Sequence, residues 1–328
     1  MTGEQDREKE KDLLGHARSV RPSMRGRGGE PPKHAKAAAL SIAERIRAAH
    51  GVPQAVAKIT RFHRTPTQCR RHFAYISRHG KLALETENGN LVMGLDEQRD
   101  LIDGWSKSFD HGKKSRNQMN YVVSATRGSS AEAVHKAARA FGQEAFGEHR
   151  YVFVMHTDKN HPHVHFAVRM QGQTKKLNPR LKDLHRWREL WANKAREQGI
   201  EMACSPRAAR GVGRRGQKLP IYHLQRKGIT PNVTKLAVKD AAEADTDTPW
   251  EQYCRARNGA ERRAYKQAAV DLRAAAQTSL PAARAKLEAA ADDLERFSAS
   301  MPLAKTRRQQ LREALKARAK QKSEDRER

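Results

Sequence analysis

The segment from His156 to His165 constrains the fold more than any other, because it concentrates four histidines and one aspartate within ten residues. His163 and His165 lie two positions apart at the start of an apolar run, and strand side chains at that spacing point to the same face. His156 ends another apolar run, 151–155, which also has the pattern of a strand. A tight hairpin between the two strands would therefore bring three imidazoles to one point.

Three neutral imidazoles around one divalent ion leave coordination positions open for substrate, an arrangement that is common in catalytic metal sites. One alternative is a polar hairpin with surface histidines. Another is a structural zinc site, which the sequence disfavours because no cysteine lies near the cluster. The pattern therefore favours a catalytic metal site.

The net charge of +28 and the pI of about 10.5 require an acidic partner, and nucleic acid is the first candidate. Solubility alone needs a net charge of only about 2–8 for a small domain. The three cysteines are widely separated, which fits a reducing compartment. The N-terminal residues lack the apolar stretch of a signal peptide, and no run of about 18 apolar residues occurs. We therefore expect a cytoplasmic protein without membrane insertion.

The periodicity predicts an α+β fold with a central, mainly antiparallel sheet, helices packed on it and an α-helical C-terminal tail. With hydrophobic residues at only 37%, a compact core should use part of the chain. Composition divides the chain into a basic, mostly disordered N-terminal arm (1–54), a folded domain (55–215), a linker (216–248) and a charged helical region broken near Pro281 and Pro302 (249–328).

Tyr75 is the candidate nucleophile, near the end of a helix predicted to begin at Pro66 with Thr65 as its cap. Phe73 and Ile76 would face the core and leave Tyr75 on an adjacent face. Positive neighbours and a nearby metal favour the phenolate form; these neighbours are Arg70, Arg71, Arg78 and His79. The alternative is a buried helix tyrosine with a satisfied hydroxyl.

Three stretches resemble the motifs of plasmid mobilisation relaxases of the P class, which includes the VirD-type endonuclease that cuts T-DNA borders. Residues 75–85 (YISRHGKLALE) resemble the tyrosine motif, 120–127 (NYVVSATR) the serine motif, and 156–165 (HTDKNHPHVH) the histidine motif. Their order and separations are similar to those of the family, and the likeness covers about 55–215. The chain departs from the family in the 54 residues that precede its first predicted strand.

The resemblance implies a relaxase-type fold and a nicking enzyme. In this family, a tyrosine attacks one strand at a plasmid transfer origin, stays attached to the 5′ end and rejoins the strand after conjugative transfer. Tyr75 would be the nucleophile here. The metal, Mg²⁺ or Mn²⁺, would be held by His156, His163 and His165. Imidazole ligands fit Mn²⁺ or heavier metals better than Mg²⁺, so the ion is left open.

The role of Ser124 follows from the same resemblance, and those of the other residues are expected from their chemistry and position. Asp158 would orient a ligand histidine and His161 would take the proton of Tyr75; the alternatives are that these two roles are exchanged or that neither residue has one. His161 shares its parity with His163 and competes as third ligand, but Pro162 and the resemblance favour His156. The residues expected to contact DNA are Ser124, Arg78, Arg127 and Arg169; for the arginines, plain surface exposure is the alternative.

The expected partners are single-stranded and duplex DNA at a transfer origin, an accessory relaxosome protein and the coupling protein of a type IV secretion channel. A rolling-circle replication initiator is the nearest rival, but it usually carries its histidine pair before its tyrosine, whereas Tyr75 precedes His156 by about 80 positions. Two further alternatives are a metal-dependent nuclease in which water attacks, and a nucleic-acid-binding protein without catalysis.

Overall fold

The computed structural model describes residues 35–112, 115–158, 160–212, 219–243 and 246–327. The chain forms two compact units. One is Gly51–Cys204, the sheet unit, and the other, the helical unit, combines the described residues of Met1–His50 and Ser205–Arg328. No helix within the described ranges is long and apolar enough to cross a membrane.

The sheet unit is built on a six-stranded sheet with the order β1-β4-β6-β5-β2-β3, in which every ladder is antiparallel. Its strands are β1 (Val56–His63), β2 (Leu84–Thr86), β3 (Leu91–Val92), β4 (Gln118–Ser124), β5 (His149–His156) and β6 (His163–Gly172). Its helices are α2 (Pro66–Ile76), α3 (Gly94–Ser106), α4 (Ala131–Phe146) and α5 (Leu181–Glu197). The predicted α+β fold with a mainly antiparallel sheet is confirmed, whereas the two-residue strand β3 was not expected.

Helices cover both faces of the sheet, because alternate residues of the central strands are apolar on both sides. On one face, Tyr121, Phe153 and Phe166 belong to the core that α4 and α5 complete. On the other face, Val152, Val154 and Ala167 pack with buried residues of α2 and α3. His156, His163 and His165 share their strand parity with this second set and therefore lie on the α2 side of the sheet.

Helix α2 begins as the sequence predicts. The Thr65 hydroxyl accepts a hydrogen bond from the backbone N–H of Gln68, and Pro66 occupies the first turn. The buried residues of α2 are Cys69, Phe73 and Ile76. The resulting apolar face fixes the rotation of the helix against the sheet, and thereby the direction in which Tyr75 points.

The helical unit contains α1 (Ile42–Ala49), a 3₁₀ turn (Ala208–Arg210), α6 (Leu219–Arg226), α7 (Asn232–Ala242), α8 (Pro249–Gln277), α9 (Pro281–Ser300) and α10 (Arg307–Glu327). Its main core is formed by α1, α8 and α9 and includes Tyr265, Leu272 and Leu294. The helix breaks predicted near Pro281 and Pro302 are confirmed.

The four-part division of the chain stays a prediction. Of the expected N-terminal arm, residues 1–34 lie outside the described residues, while α1 buries Ala48 in the core of the helical unit. Helices α6 and α7 lie within the segment 216–248 that composition assigns to a linker.

Candidate active site

The β5–β6 hairpin brings three histidines together at one end of the sheet. His156 and His163 are cross-strand partners, and His165 follows His163 on the same face. The ring centroids are 5.2 Å apart for His156 and His163, 4.6 Å for His156 and His165, and 5.1 Å for His163 and His165. One ring nitrogen of each residue lies within 4.8 Å of the others. The predicted cluster thus has the geometry of a three-imidazole metal site.

Hydrogen bonds to backbone carbonyls decide which ring nitrogen of two histidines carries the lone pair that a metal would need. His156 Nε2 lies 2.6 Å from the backbone carbonyl oxygen of Ile76, which can only accept, so Nε2 carries the proton and Nδ1 the lone pair. His163 Nδ1 donates to the carbonyl of His161 over 3.3 Å, which leaves Nε2 as its lone-pair nitrogen. Metal-binding histidines commonly donate their second ring N–H in this way. The residues present therefore fit a divalent ion.

The electrostatic environment keeps His156 neutral, which ligation requires. Burial is the largest cause that lowers the pKa of His156, and the positive charge of Arg78 and the neighbouring His163 act in the same direction. The hydrogen bond to the Ile76 carbonyl opposes the shift without reversing it. The lowered pKa of His156 favours the neutral ring that metal binding needs.

Tyr75 lies beside this cluster on the last turn of α2. Its ring packs edge-on against His165, with the centroids 6.2 Å apart and the planes at 88°. Although Phe73 and Ile76 on the same helix are fully buried, the side chain of Tyr75 is 57% exposed. The alternative of a buried tyrosine with a satisfied hydroxyl is wrong, and the phenol is accessible to a bound substrate.

Arg78 connects Tyr75 with the histidine motif. Its guanidinium carbon lies 6.0 Å from the centroid of the Tyr75 ring, and it also forms an ion pair with Asp158. Local desolvation raises the pKa of Asp158, but Arg78, His156 and His163 together outweigh it and hold the pKa below its usual value. Asp158 is therefore an anion bound to Arg78.

A left-handed turn after α2 sets the position of Arg78. Arg78 and His79 have φ values of 53° and 59°, and Gly80 has a φ of 82°. The buried hydroxyl of Ser77 accepts the N–H of Gly80 and donates to Gln98 of α3. Two consecutive non-glycine residues in this conformation are uncommon, and such backbone strain clusters at functional sites.

The other predicted site residues lie at different distances from the cluster. His161 is exposed, and its backbone carbonyl holds the His163 ring. Ser124 is the β4 residue opposite His163, so it lies at the same end of the sheet. Arg127 is exposed in the turn after β4. The structure thus brings Tyr75, Arg78 and Asp158 to the histidine cluster, with Ser124 beside it.

Arg169 does not lie at this cluster. It is four residues beyond His165 on β6, which corresponds to about 13 Å along the strand. Its guanidinium donates to the hydroxyl of Ser108. A phosphate contact by Arg169 stays a prediction, and it would hold DNA away from the cluster.

Sequence reasoning missed a buried polar cluster on the same face of the sheet. The Gln118 amide donates to His72 Nδ1 over 3.1 Å and to Asn120 Oδ1 over 2.7 Å, and Asn120 donates to His63 Nε2 over 3.2 Å. Burial is the main cause that lowers the pKa of His72 to about 3, followed by His63 and His165. His72 lies one helical turn before Tyr75, so this neutral cluster supports the helix that carries the tyrosine. The available signal was the two polar residues Gln118 and Asn120 at alternate positions of an otherwise apolar strand.

Comparisons with known proteins find similarity to relaxases over the segment that carries these residues. Residues 75–200 match the family described as "Relaxase: MobA/VirD2-like, nuclease domain". The T-DNA border endonuclease VirD2 of Rhizobium rhizogenes is 25% identical over 190 residues, which cover 51% of this chain and 42% of the relative. The VirD2 protein of Rhizobium radiobacter is 25% identical over 178 residues, which cover 47% of this chain and 41% of the relative. The VirD2 protein of Agrobacterium fabrum is 24% identical over 198 residues, which cover 53% of this chain and 43% of the relative. The matches thus cover less than half the length of each relative.

Proposed function

We propose that this protein nicks one DNA strand at a plasmid transfer origin by tyrosine transesterification, because residues 75–200 match the family model described as a MobA/VirD2-like relaxase nuclease domain. The observation that carries the proposal is the exposed phenol of Tyr75 in edge contact with His165 of a three-imidazole cluster. A nucleophile that is accessible to substrate and adjacent to a metal site matches the needs of phosphodiester exchange.

In the proposed reaction, the Tyr75 oxygen forms a bond to the phosphorus and the bond from phosphorus to the 3′ oxygen breaks. The phenolic proton is passed on and the departing 3′ oxygen ends as a hydroxyl, so the products are a 5′-phosphotyrosyl protein and a free 3′ end. When bound by His156, His163 and His165, a divalent ion would polarise the non-bridging phosphate oxygens. One phosphodiester replaces another, and the step is therefore reversible without ATP.

The neighbouring side chains have proposed roles in this step. Arg78, which lies beside the Tyr75 ring, would contact the scissile phosphate, and Asp158 would hold Arg78 through their ion pair. His161 is exposed on the hairpin loop, where it could take the phenolic proton. Ser124, opposite His163 in the sheet, would contact DNA next to the cut.

The substrate and partners are part of the same proposal. Since the tyrosine must reach a phosphate beside the histidine cluster, the strand to be cut should be single-stranded at that point, with flanking duplex DNA held by the basic surface. The net charge of +28 supports DNA as the partner. We further propose action in the cytoplasm, together with an accessory relaxosome protein and a type IV coupling protein.

A denaturing gel tests the proposal. The full chain is incubated with Mn²⁺ or Mg²⁺ and with single-stranded oligonucleotides that tile candidate transfer origins. An oligonucleotide labelled at its 3′ end should give a band at protein mass, because the fragment on that side becomes linked to Tyr75. The same oligonucleotide labelled at its 5′ end should give a shortened free fragment.

Tyr75→Phe removes the nucleophile, and Tyr222→Phe is the matched control, since Tyr222 is also exposed but lies on α6 of the helical unit. We expect the protein-linked band to disappear in Tyr75→Phe and to persist in Tyr222→Phe. Cleavage that survives in Tyr75→Phe without any protein-linked band would instead identify a nuclease that uses water. A chelator should abolish the band in every active variant.

A further inference from the structure

Arg78 contacts a residue of the metal site as well as the tyrosine. Its Nη2 atom lies 3.3 Å from His156 Nδ1, and the same atom pairs with Asp158. The guanidinium carbon also lies 6.0 Å from the centroid of the Tyr75 ring. One side chain therefore touches a ligand, the acidic residue of the histidine motif and the nucleophile.

The hydrogen-bond roles at His156 are fixed by its partners. The Ile76 carbonyl oxygen can only accept, so His156 Nε2 is the protonated nitrogen of the neutral ring. His156 Nδ1 therefore carries the lone pair. Because a guanidinium has donors and no acceptor, Arg78 donates to that lone pair.

A metal ion coordinated by His156 needs the same lone pair. One lone pair cannot accept a hydrogen bond and coordinate a cation together, and two positive charges at one nitrogen also repel each other. The contact from Arg78 and ligation by His156 are therefore mutually exclusive.

We propose that a divalent metal ion displaces Arg78 from His156. The guanidinium that is released then contacts the scissile phosphate. This inference rests on the proposed function for the identity of the phosphate, but its metal-binding part stands on the contacts of Arg78 alone. Metal loading and phosphate recognition are thereby coupled.

The surroundings of Arg78 confine the change to its side chain. Its backbone lies in the left-handed turn, where Ser77 accepts the N–H of Gly80. Asp158 is exposed on the hairpin loop and provides a second anchor for the guanidinium. The released group would therefore remain beside Tyr75, where the phosphate must bind for attack.

Isothermal titration of the full chain with Mn²⁺, without DNA, tests the metal-binding part. Arg78→Ala should bind Mn²⁺ about tenfold more tightly than wild type, because the ion no longer competes with a charge-assisted hydrogen bond. Arg99→Ala is the matched control; it removes an exposed arginine paired with Asp96 on α3, and it should leave the affinity unchanged.

Two further conditions separate displacement from other causes. Removing Arg78 also frees the Asp158 carboxylate, which could then bind the metal itself. In the Asp158→Asn background that explanation is excluded, and Arg78→Ala should still tighten Mn²⁺ binding. Raising the salt from about 0.1 to about 1 M shortens the screening length from roughly 10 to 3 Å and would abolish an effect of distant charge. The gain should persist at high salt. Equal or weaker Mn²⁺ binding by Arg78→Ala, or a gain that vanishes in salt, overturns the proposal.

DNA binding provides the second readout. In the Tyr75→Phe background, which cannot form the adduct, Arg78→Ala should weaken oligonucleotide binding about tenfold with Mn²⁺ present and by less than twofold with a chelator. Equal weakening under both conditions would contradict a coupled release. Because neither titration depends on strand cleavage, their outcome is distinguishable from that of the nicking assay.

Discussion

Gly80→Ala is the sharpest test of the turn that positions Arg78. Gly80 has a φ of 82°, and a Cβ atom there would lie 3.0 Å from Gly94 Cα, 3.1 Å from Gly94 C and 3.2 Å from Leu95 N. All three are backbone atoms at the start of α3, so no flexible side chain can give way. The substitution must therefore shift either the turn or the helix.

Gly89 provides a matched comparison in the same unit. Its φ of 83° equals that of Gly80 within a degree, yet an added Cβ would meet nothing within 4 Å. The left-handed conformation costs a non-glycine residue about 1–2 kcal/mol at either position. Overpacking against backbone adds about 1–3 kcal/mol, and it does so at Gly80 alone. We therefore expect Gly80→Ala to destabilise the sheet unit by about 2–5 kcal/mol and Gly89→Ala by about 1–2 kcal/mol.

Urea unfolding followed by tryptophan fluorescence measures this difference, since three of the four tryptophans, Trp105, Trp187 and Trp191, lie in the sheet unit. At constant slope, the midpoint should be lower for Gly80→Ala than for Gly89→Ala. The nicking rate at a temperature where both variants are folded should also fall more for Gly80→Ala, because the shifted turn carries Arg78. Stabilities that agree within about 0.5 kcal/mol would refute the argument from close approach.

Three further predictions concern charge and metal. Burial is the main cause that lowers the pKa of His72 to about 3, whereas an unfolded histidine binds a proton near pH 6.5. As the pH falls, the unfolded state therefore binds a proton before the folded state does. The free energy of unfolding should fall between about pH 6.5 and 3, by up to about 1.4 kcal/mol per pH unit. Urea midpoints at pH 7, 6 and 5 should show a smaller slope for His72→Gln, and an unchanged slope would contradict this. Glu261→Ala should destabilise the helical unit by about 3–5 kcal/mol, since it leaves the buried Arg45 without its carboxylate partner. The exposed Glu295, paired with Arg273, is the control, and its alanine variant should lose at most about 1 kcal/mol by circular dichroism. His163→Ala should abolish Mn²⁺ binding in a titration calorimeter without lowering the thermal midpoint by more than a few degrees, and full-affinity binding would show that His163 is not a ligand.

The cluster of three histidines was predictable because it depends on local geometry. Strand parity alone places His163 and His165 on one face, and a hairpin returns His156 to them. The exposed face of Tyr75 followed from the spacing of Phe73 and Ile76 on the helix. These inferences need only the periods of a strand and a helix and the assumption of one hairpin.

The remaining features depend on tertiary contacts. Arg169 shares the parity of His163, but parity gives no distance along a strand, and β6 is long enough to separate the two residues. The glycine after His79 predicts the end of α2, yet it does not show that Arg78 and His79 also adopt positive φ. The burial of Gln118 is likewise decided by a partner on another element, His72.

The orientations of Tyr75, the proposed nucleophile, and of His156, a proposed metal ligand, are coupled through two consecutive residues. Tyr75 places its ring against His165, and the next residue, Ile76, buries its side chain under the sheet while its carbonyl accepts from His156. A displacement of the last turn of α2 therefore changes the approach of the phenol and the lone-pair direction of His156 at the same time. This coupling explains how residues about 80 positions apart form one site. Loss of activity in a variant that alters the α2 packing is therefore no evidence for a chemical role. Only a change that preserves the helix, such as Tyr75→Phe, tests whether Tyr75 is the nucleophile.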